Sequence, residues 1–73
     1  MASEDAHELF LLIGEIGEDP SHAQKDLVEQ TLKNRGWGEY RIEDAVGELI
    51  RDHDAIYESI AGDRWVRSKR RLE

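Results

Sequence analysis

RIEDAVGELIRDHDAIYESIAGDRWVR, residues 41–67, decides the fold because its hydrophobic period changes once along the stretch. Apolar side chains recur at the spacing of a helix, at Ile42, Val46, Leu49 and Ile50. After Asp54 the side chains alternate between two sides, as they do along a strand. We therefore predict a helix near residues 41–52, followed by strands at residues 55–60 and 64–67.

A tight turn is predicted at residues 61–63, Ala-Gly-Asp, because Gly adopts positive φ freely and Asp tolerates it. A turn centred there would place Ile60 opposite Trp65 and Glu58 opposite Arg67. One apolar pair and one pair of opposite charges would then share a face of the hairpin.

The N-terminal segment predicts a first helix near residues 4–16, with Ser3 as its N-cap. Residues 9–13 are all apolar, a run wider than one helix face requires. Either this helix lies at the centre of a small core, which is the favoured interpretation, or it keeps a second apolar face. The second interpretation implies a homodimer through helix 1, or another protein docked there.

The middle of the chain predicts a second helix near residues 22–35, with a capping box at Ser21 and a C-cap at Gly36. Residues 18–20 contain no β-forming run, so any strand between the first two helices should be vestigial. The inward residues of this helix are expected to be Ala23, Leu27, Val28, Thr31 and Leu32. Two aromatic side chains of the next turn should close the core edge, Trp37 and Tyr40.

Taken in order, the elements are helix, helix, helix, strand and strand, a mostly α fold with a small β-hairpin (α+β). Helices 2 and 3, joined by a short Gly-containing turn, form a helix-turn-helix, and the hairpin is its wing. We expect a single winged helix-turn-helix domain over residues 1–71. The final pair, Leu72 and Glu73, has the composition of an expression-tag junction.

The composition indicates a small domain, because the chain has 73 residues and no Cys for disulfides or thiolate-bound metal. No apolar run approaches membrane-spanning length, and the acidic N-terminus argues against a secretory signal. We therefore expect a cytoplasmic protein with no membrane contact. Because no nucleophile–base pair, phosphate-cradling loop or converging set of metal ligands is present, we expect neither enzymatic activity nor a cofactor or metal.

The net charge of −7 is unevenly distributed along the chain. Residues 1–63 hold 16 acidic and 5 basic side chains, whereas residues 64–73 hold 5 basic and 1 acidic. A basic end can hold a polyanion that the acidic body repels. This polarity predicts binding of duplex DNA through the wing and the basic tail. The candidate DNA-binding residues are Arg41, Arg64, Arg67, Lys69, Arg70 and Arg71.

Helix 3 would be the recognition helix of a helix-turn-helix protein, yet its outward face is acidic. Its expected outward residues are Arg41, Glu43, Asp44, Gly47, Glu48, Arg51 and Asp52. Carboxylates beside phosphates are unfavourable, and only a carboxylate that accepts a hydrogen bond from a cytosine amino group would favour binding. The alternative function is therefore a protein-interaction module that docks a partner through acidic helix 3 or apolar helix 1.

Three local patterns carry a resemblance: a second helix ending near Gly36, the run Ala55-Ile56-Tyr57-Glu58, and the return strand Arg64-Trp65-Val66-Arg67. With these, residues 21–67 resemble the C-terminal winged-helix domains of archaeal minichromosome-maintenance helicases. They resemble, more loosely, the winged helix of the replication protein A middle subunit. The chain departs from the pattern at Asp52-His53-Asp54, where a Gly usually precedes the wing strand. The resemblance implies a module that binds DNA or docks a replication or transcription protein.

Overall fold

The computed structural model describes residues 2–17 and 22–68. The described elements, in chain order, are α1 (Glu4–Ile16), β1 (His22–Gln24), α2 (Lys25–Asn34), α3 (Glu39–Gly47), a π-helical turn (Glu48–Asp52), β2 (Ile56–Glu58) and β3 (Arg64–Arg67). The predicted mostly helical α+β fold with a C-terminal hairpin is confirmed. The first helix has the predicted bounds, and the Ser3 hydroxyl caps it by accepting a hydrogen bond from the Ala6 amide at 3.1 Å.

The sheet has three antiparallel strands in the order β1-β3-β2, so the predicted order of elements lacked one strand. Residues His22–Gln24, expected as the first turn of helix 2, pair with β3, and α2 begins only at Lys25. Their short polar sequence gives no strand signal, since pairing with β3 supplies the backbone hydrogen bonds that define them. The predicted capping residue Ser21 lies outside the described residues.

The predicted hairpin register is wrong by two residues, because the loop is longer than a tight turn. Glu58 pairs with Trp65 and Ile56 with Arg67. The Ser59 amide donates to the Arg64 carbonyl oxygen at 3.0 Å, which closes the loop. A shift of two residues keeps the same side chains facing the core. Ile60, expected opposite Trp65, therefore lies in the loop and is fully exposed.

α1 is the central helix of the core, as the favoured interpretation of its apolar run required. Leu9, Phe10, Leu12 and Ile13 are buried, and only Leu11 of that run is half exposed. They pack with buried residues from every other element: Ala23, Val28, Leu32, Trp37, Ile42, Ala45, Leu49, Ala55, Ile56 and Trp65. Most of the long apolar run is thus buried within one copy of the chain.

The connection between α2 and α3 is a Schellman cap followed by a buried aromatic ring. Gly36 has a φ of +91°, and the Trp37 amide donates to the Leu32 carbonyl oxygen at 3.0 Å. Burial of Trp37 is confirmed. Burial of Tyr40 is wrong, because α3 begins at Glu39 and its first turn directs the Tyr40 ring outward, where it is 84% exposed.

Leu27 corrects another core prediction, since its side chain is 50% exposed. Ala23 and Val28 are buried as expected, but Ala23 is buried from β1 rather than from the helix. Because α2 begins only at Lys25, fewer of its residues are buried than the predicted apolar stripe contains. Leu27 lines a recess beside β1.

α3 continues into the π-helical turn, so the helical stretch ends at Asp52 as predicted. The chain then turns at Asp54, which has a φ of +52° although it is not a glycine. Asp tolerates this left-handed conformation better than most residues. The turn brings the Ala55 amide to the Leu49 carbonyl oxygen at 2.8 Å and starts β2. Asp54 therefore takes a left-handed conformation that Gly adopts more readily.

Candidate functional site

Arg41 is the first basic residue of α3, and its side chain is directed at α1 rather than outward. Its Nε and Nη2 donate to the two carboxylate oxygens of Asp5 at 3.0 and 2.9 Å. Its guanidinium also lies over the Trp37 ring, 4.0 Å from the centroid. The hydrogen bond from Arg41 lowers the pKa of Asp5, and the same bond raises the pKa of Arg41.

The exposed side of α3 carries carboxylates beside an aromatic ring. Glu39, Glu43 and Asp44 are exposed, with Tyr40 among them. A shallow groove of about 140 Å³ separates this helix from α2 and is lined by Glu29, Lys33, Glu39, Ile42 and Glu43. We call the set Glu39, Tyr40, Glu43 and Asp44 the α3 surface.

Glu48 lies on the predicted outward face but is occupied by the N-terminal segment. Its carboxylate accepts from the Ser3 amide at 2.7 Å and from the Ser3 hydroxyl at 2.8 Å. His53 Nε2 lies 3.5 Å from the same group. The two Ser3 hydrogen bonds, with a smaller contribution from His53, lower the pKa of Glu48. This carboxylate thus fastens the start of α1 to the π-helical turn.

Other basic side chains also make contacts within the domain. Arg35 pairs with Glu8 at 3.5 Å, Lys33 with Glu39 at 3.8 Å, and Lys25 with Glu58. These pairs are partly or largely exposed, so each contributes little to stability. They nevertheless place a carboxylate beside these three cations.

Arg64 and Arg67 project from opposite sides of β3, so the structure does not bring them together. Arg67 lies over the Phe10 ring of α1, 4.0 Å from its centroid. A Cβ added at Gly14 would overlap its guanidinium, so Gly14 leaves the space that Arg67 occupies. Arg64 lies on the other side of the sheet, with Nη1 3.3 Å from His22 Nδ1.

Of the six candidate DNA-binding residues, three lie in the described part of the chain and have separate surroundings. Arg41 faces Asp5, Arg67 faces Phe10, and Arg64 faces His22. The remaining three, Lys69, Arg70 and Arg71, lie outside the described residues. The sequence analysis missed the exposed Tyr40 and the occupied Glu48. No sequence signal indicates the Ser3–Glu48 contact, because it joins residues far apart in the chain.

Within residues 2–17 and 22–68, no group of three or more His, Asp or Glu side chains is arranged to hold a metal ion. None of the described helices is long and apolar enough to span a membrane. No protein-family model, curated protein or solved structure matches this chain.

Proposed function

We propose that this chain is a winged helix-turn-helix domain that docks a basic segment of a partner protein through the α3 surface. The order helix, strand, helix, helix, strand, strand supports the winged-helix assignment, with α2 and α3 as the helix-turn-helix and β2–β3 as the wing. The observation that carries the docking function is the contrast on α3. Arg41 is paired with Asp5, whereas Glu43 and Asp44 are exposed and have no basic partner among the described residues.

The charge of the α3 surface favours a basic peptide over a nucleic acid. Duplex DNA carries one negative charge per about 1.7 Å of its axis, so carboxylates on a recognition helix meet a dense line of like charge. A basic segment gains from the same carboxylates, and its cations can also lie on the exposed Tyr40 ring.

Duplex DNA bound through the wing and basic tail is the second candidate function. It is favoured by the excess of basic residues after position 63. In that case phosphate contacts would come from Arg64 and the tail, while α3 would stay away from the groove.

Backbone amide shift mapping with an oligolysine peptide tests the docking function. We expect the largest shifts at Tyr40, Glu43 and Asp44, and weakening of about tenfold in the double variant Glu43→Gln, Asp44→Asn, because two attractive charges are lost. The matched control is Glu4→Gln, Glu15→Gln on α1, which removes the same charge and should change binding much less. Equal weakening by both double variants would indicate only a general charge effect and would overturn the proposal.

A further inference from the structure

The outer face of the sheet is a second surface with a different chemistry. Side chains alternate along β3, so the buried Trp65 points inward and its neighbours Arg64 and Val66 point outward. The register aligns His22, Val66 and Tyr57 in one row across the three strands. Tyr57 is 54% exposed, and His22 and Val66 are partly exposed, so a partner can reach this row.

A recess of about 90 Å³ adjoins this row at the β1 side. Its lining is Ile16, His22, Ala23, Gln24, Leu27 and Arg64. Leu27 of α2 lies at the edge of this recess and is half exposed, although its side chain is apolar. Among the described residues, the outer face and the recess at its β1 edge therefore place apolar side chains beside one guanidinium, that of Arg64.

Arg64 is bonded to an imidazole nitrogen rather than to an acid. Arg64 Nη1 lies 3.3 Å from His22 Nδ1, and a guanidinium can only donate hydrogen bonds. Among the described residues Arg64 has no carboxylate partner, whereas Arg35 and Arg41 each have one. A guanidinium forms its strongest pairs with a carboxylate in bidentate geometry, and Arg64 keeps that capacity.

We propose that the outer face of the sheet binds a segment of a partner protein that combines apolar side chains with a carboxylate. The apolar side chains pack on Val66 and Tyr57 and, in the recess at the β1 edge, on Leu27, while the carboxylate pairs with Arg64. This site goes beyond the α3 surface, since it lies on another face and selects the opposite charge. Among the described residues this face carries one cation beside apolar side chains, which suits such a segment better than a duplex, whose phosphates require several cations.

The test is amide shift mapping with a short peptide of Leu and Glu residues and with its counterpart of Leu and Lys residues. We expect the Leu and Glu peptide to shift Tyr57, Arg64 and Val66, and the counterpart to leave them unchanged. Arg64→Gln should weaken binding about tenfold, because a hydrogen-bonded charge pair is lost. Arg51→Gln is the matched control, since it removes an exposed arginine of the π-helical turn, and it should have little effect.

Three results would overturn this proposal. The Leu and Glu peptide could leave the sheet unshifted, Arg51→Gln could weaken binding as much as Arg64→Gln, or random-sequence duplex DNA could be the ligand that shifts these residues. The urea midpoint of each variant identifies any loss of folding. A second variant, Leu27→Ser, tests the apolar part of the site without touching Arg64. Normal binding by folded Leu27→Ser would remove the recess from the proposal.

Discussion

The surface of α1 and the outer face of the sheet differ in the contacts that their arginines make. Three arginines from other elements contact α1: Arg35 at Glu8, Arg41 at Asp5 and Arg67 at Phe10. On the outer face of the sheet, Arg64 contacts only a histidine ring among the described residues. An excess of arginine in the sequence therefore does not show how many cations are available to a ligand.

The contact of Arg67 with α1 also explains why α1 contains Gly14, a residue that weakens a helix. Gly14 lies within α1, where Gly is less favourable than Ala by about 1 kcal/mol. Its missing Cβ leaves room for the Arg67 guanidinium beside Phe10. The weaker helix and the stacked arginine are therefore two parts of one arrangement.

Of the stability changes predicted here, we expect the largest from substitutions at Gly14 and Arg67. In an Arg67→Ala background, Gly14→Ala should raise the free energy of unfolding by about 1 kcal/mol, because only helix propensity changes. In the wild-type background the same substitution should gain less or become destabilising, because the new methyl group displaces Arg67. Urea unfolding of the four proteins measures this coupling. Equal gains in both backgrounds would mean that Arg67 does not occupy this space in solution.

A smaller change in stability is expected when the pH is lowered, and it should distinguish Arg41, which has a carboxylate partner, from Arg64. Because Arg41 lowers the pKa of Asp5 in the folded state, their pair stabilises the protein fully above the unfolded pKa of Asp, about 3.9. That stabilisation is lost as the pH falls through the lower folded pKa. The difference in urea midpoint between wild type and Asp5→Asn should therefore shrink in acid.

Arg64→Gln is the control for the acid experiment. Arg64 has no carboxylate partner among the described residues, so its effect on the urea midpoint should stay nearly constant over the same acidic range. An Asp5→Asn difference that is independent of pH would contradict the pairing of Asp5 with Arg41.

Local patterns in the sequence predict most of the fold. The change of period after Asp54 located the hairpin, and the stripe and N-cap of α1 located the first helix. The strand β1 and the hairpin register depend on contacts between distant residues, which local propensity does not encode. Tyr40 shows the same limit, because a helix start two residues earlier moves its ring from the core to the surface.

The candidate sites were less predictable than the fold. The sequence identified the acidic side of helix 3, since helical spacing alone determines which residues share a face. It did not reveal that Asp5 holds Arg41 or that Phe10 receives Arg67, because these pairs join α1 to α3 and β3. Counting basic residues therefore grouped side chains that the fold separates.

Binding of random-sequence duplex DNA to the full chain, titrated from low to high salt, tests the central claim most directly. If the α3 surface serves basic partners, an oligolysine peptide should bind at low salt, where charge attraction is strongest, and the duplex should not. Failure of the oligolysine peptide to bind, together with duplex binding whose affinity falls with added salt at a slope of about 0.9 per phosphate contact, would contradict the account and support the wing and tail as a DNA-binding surface.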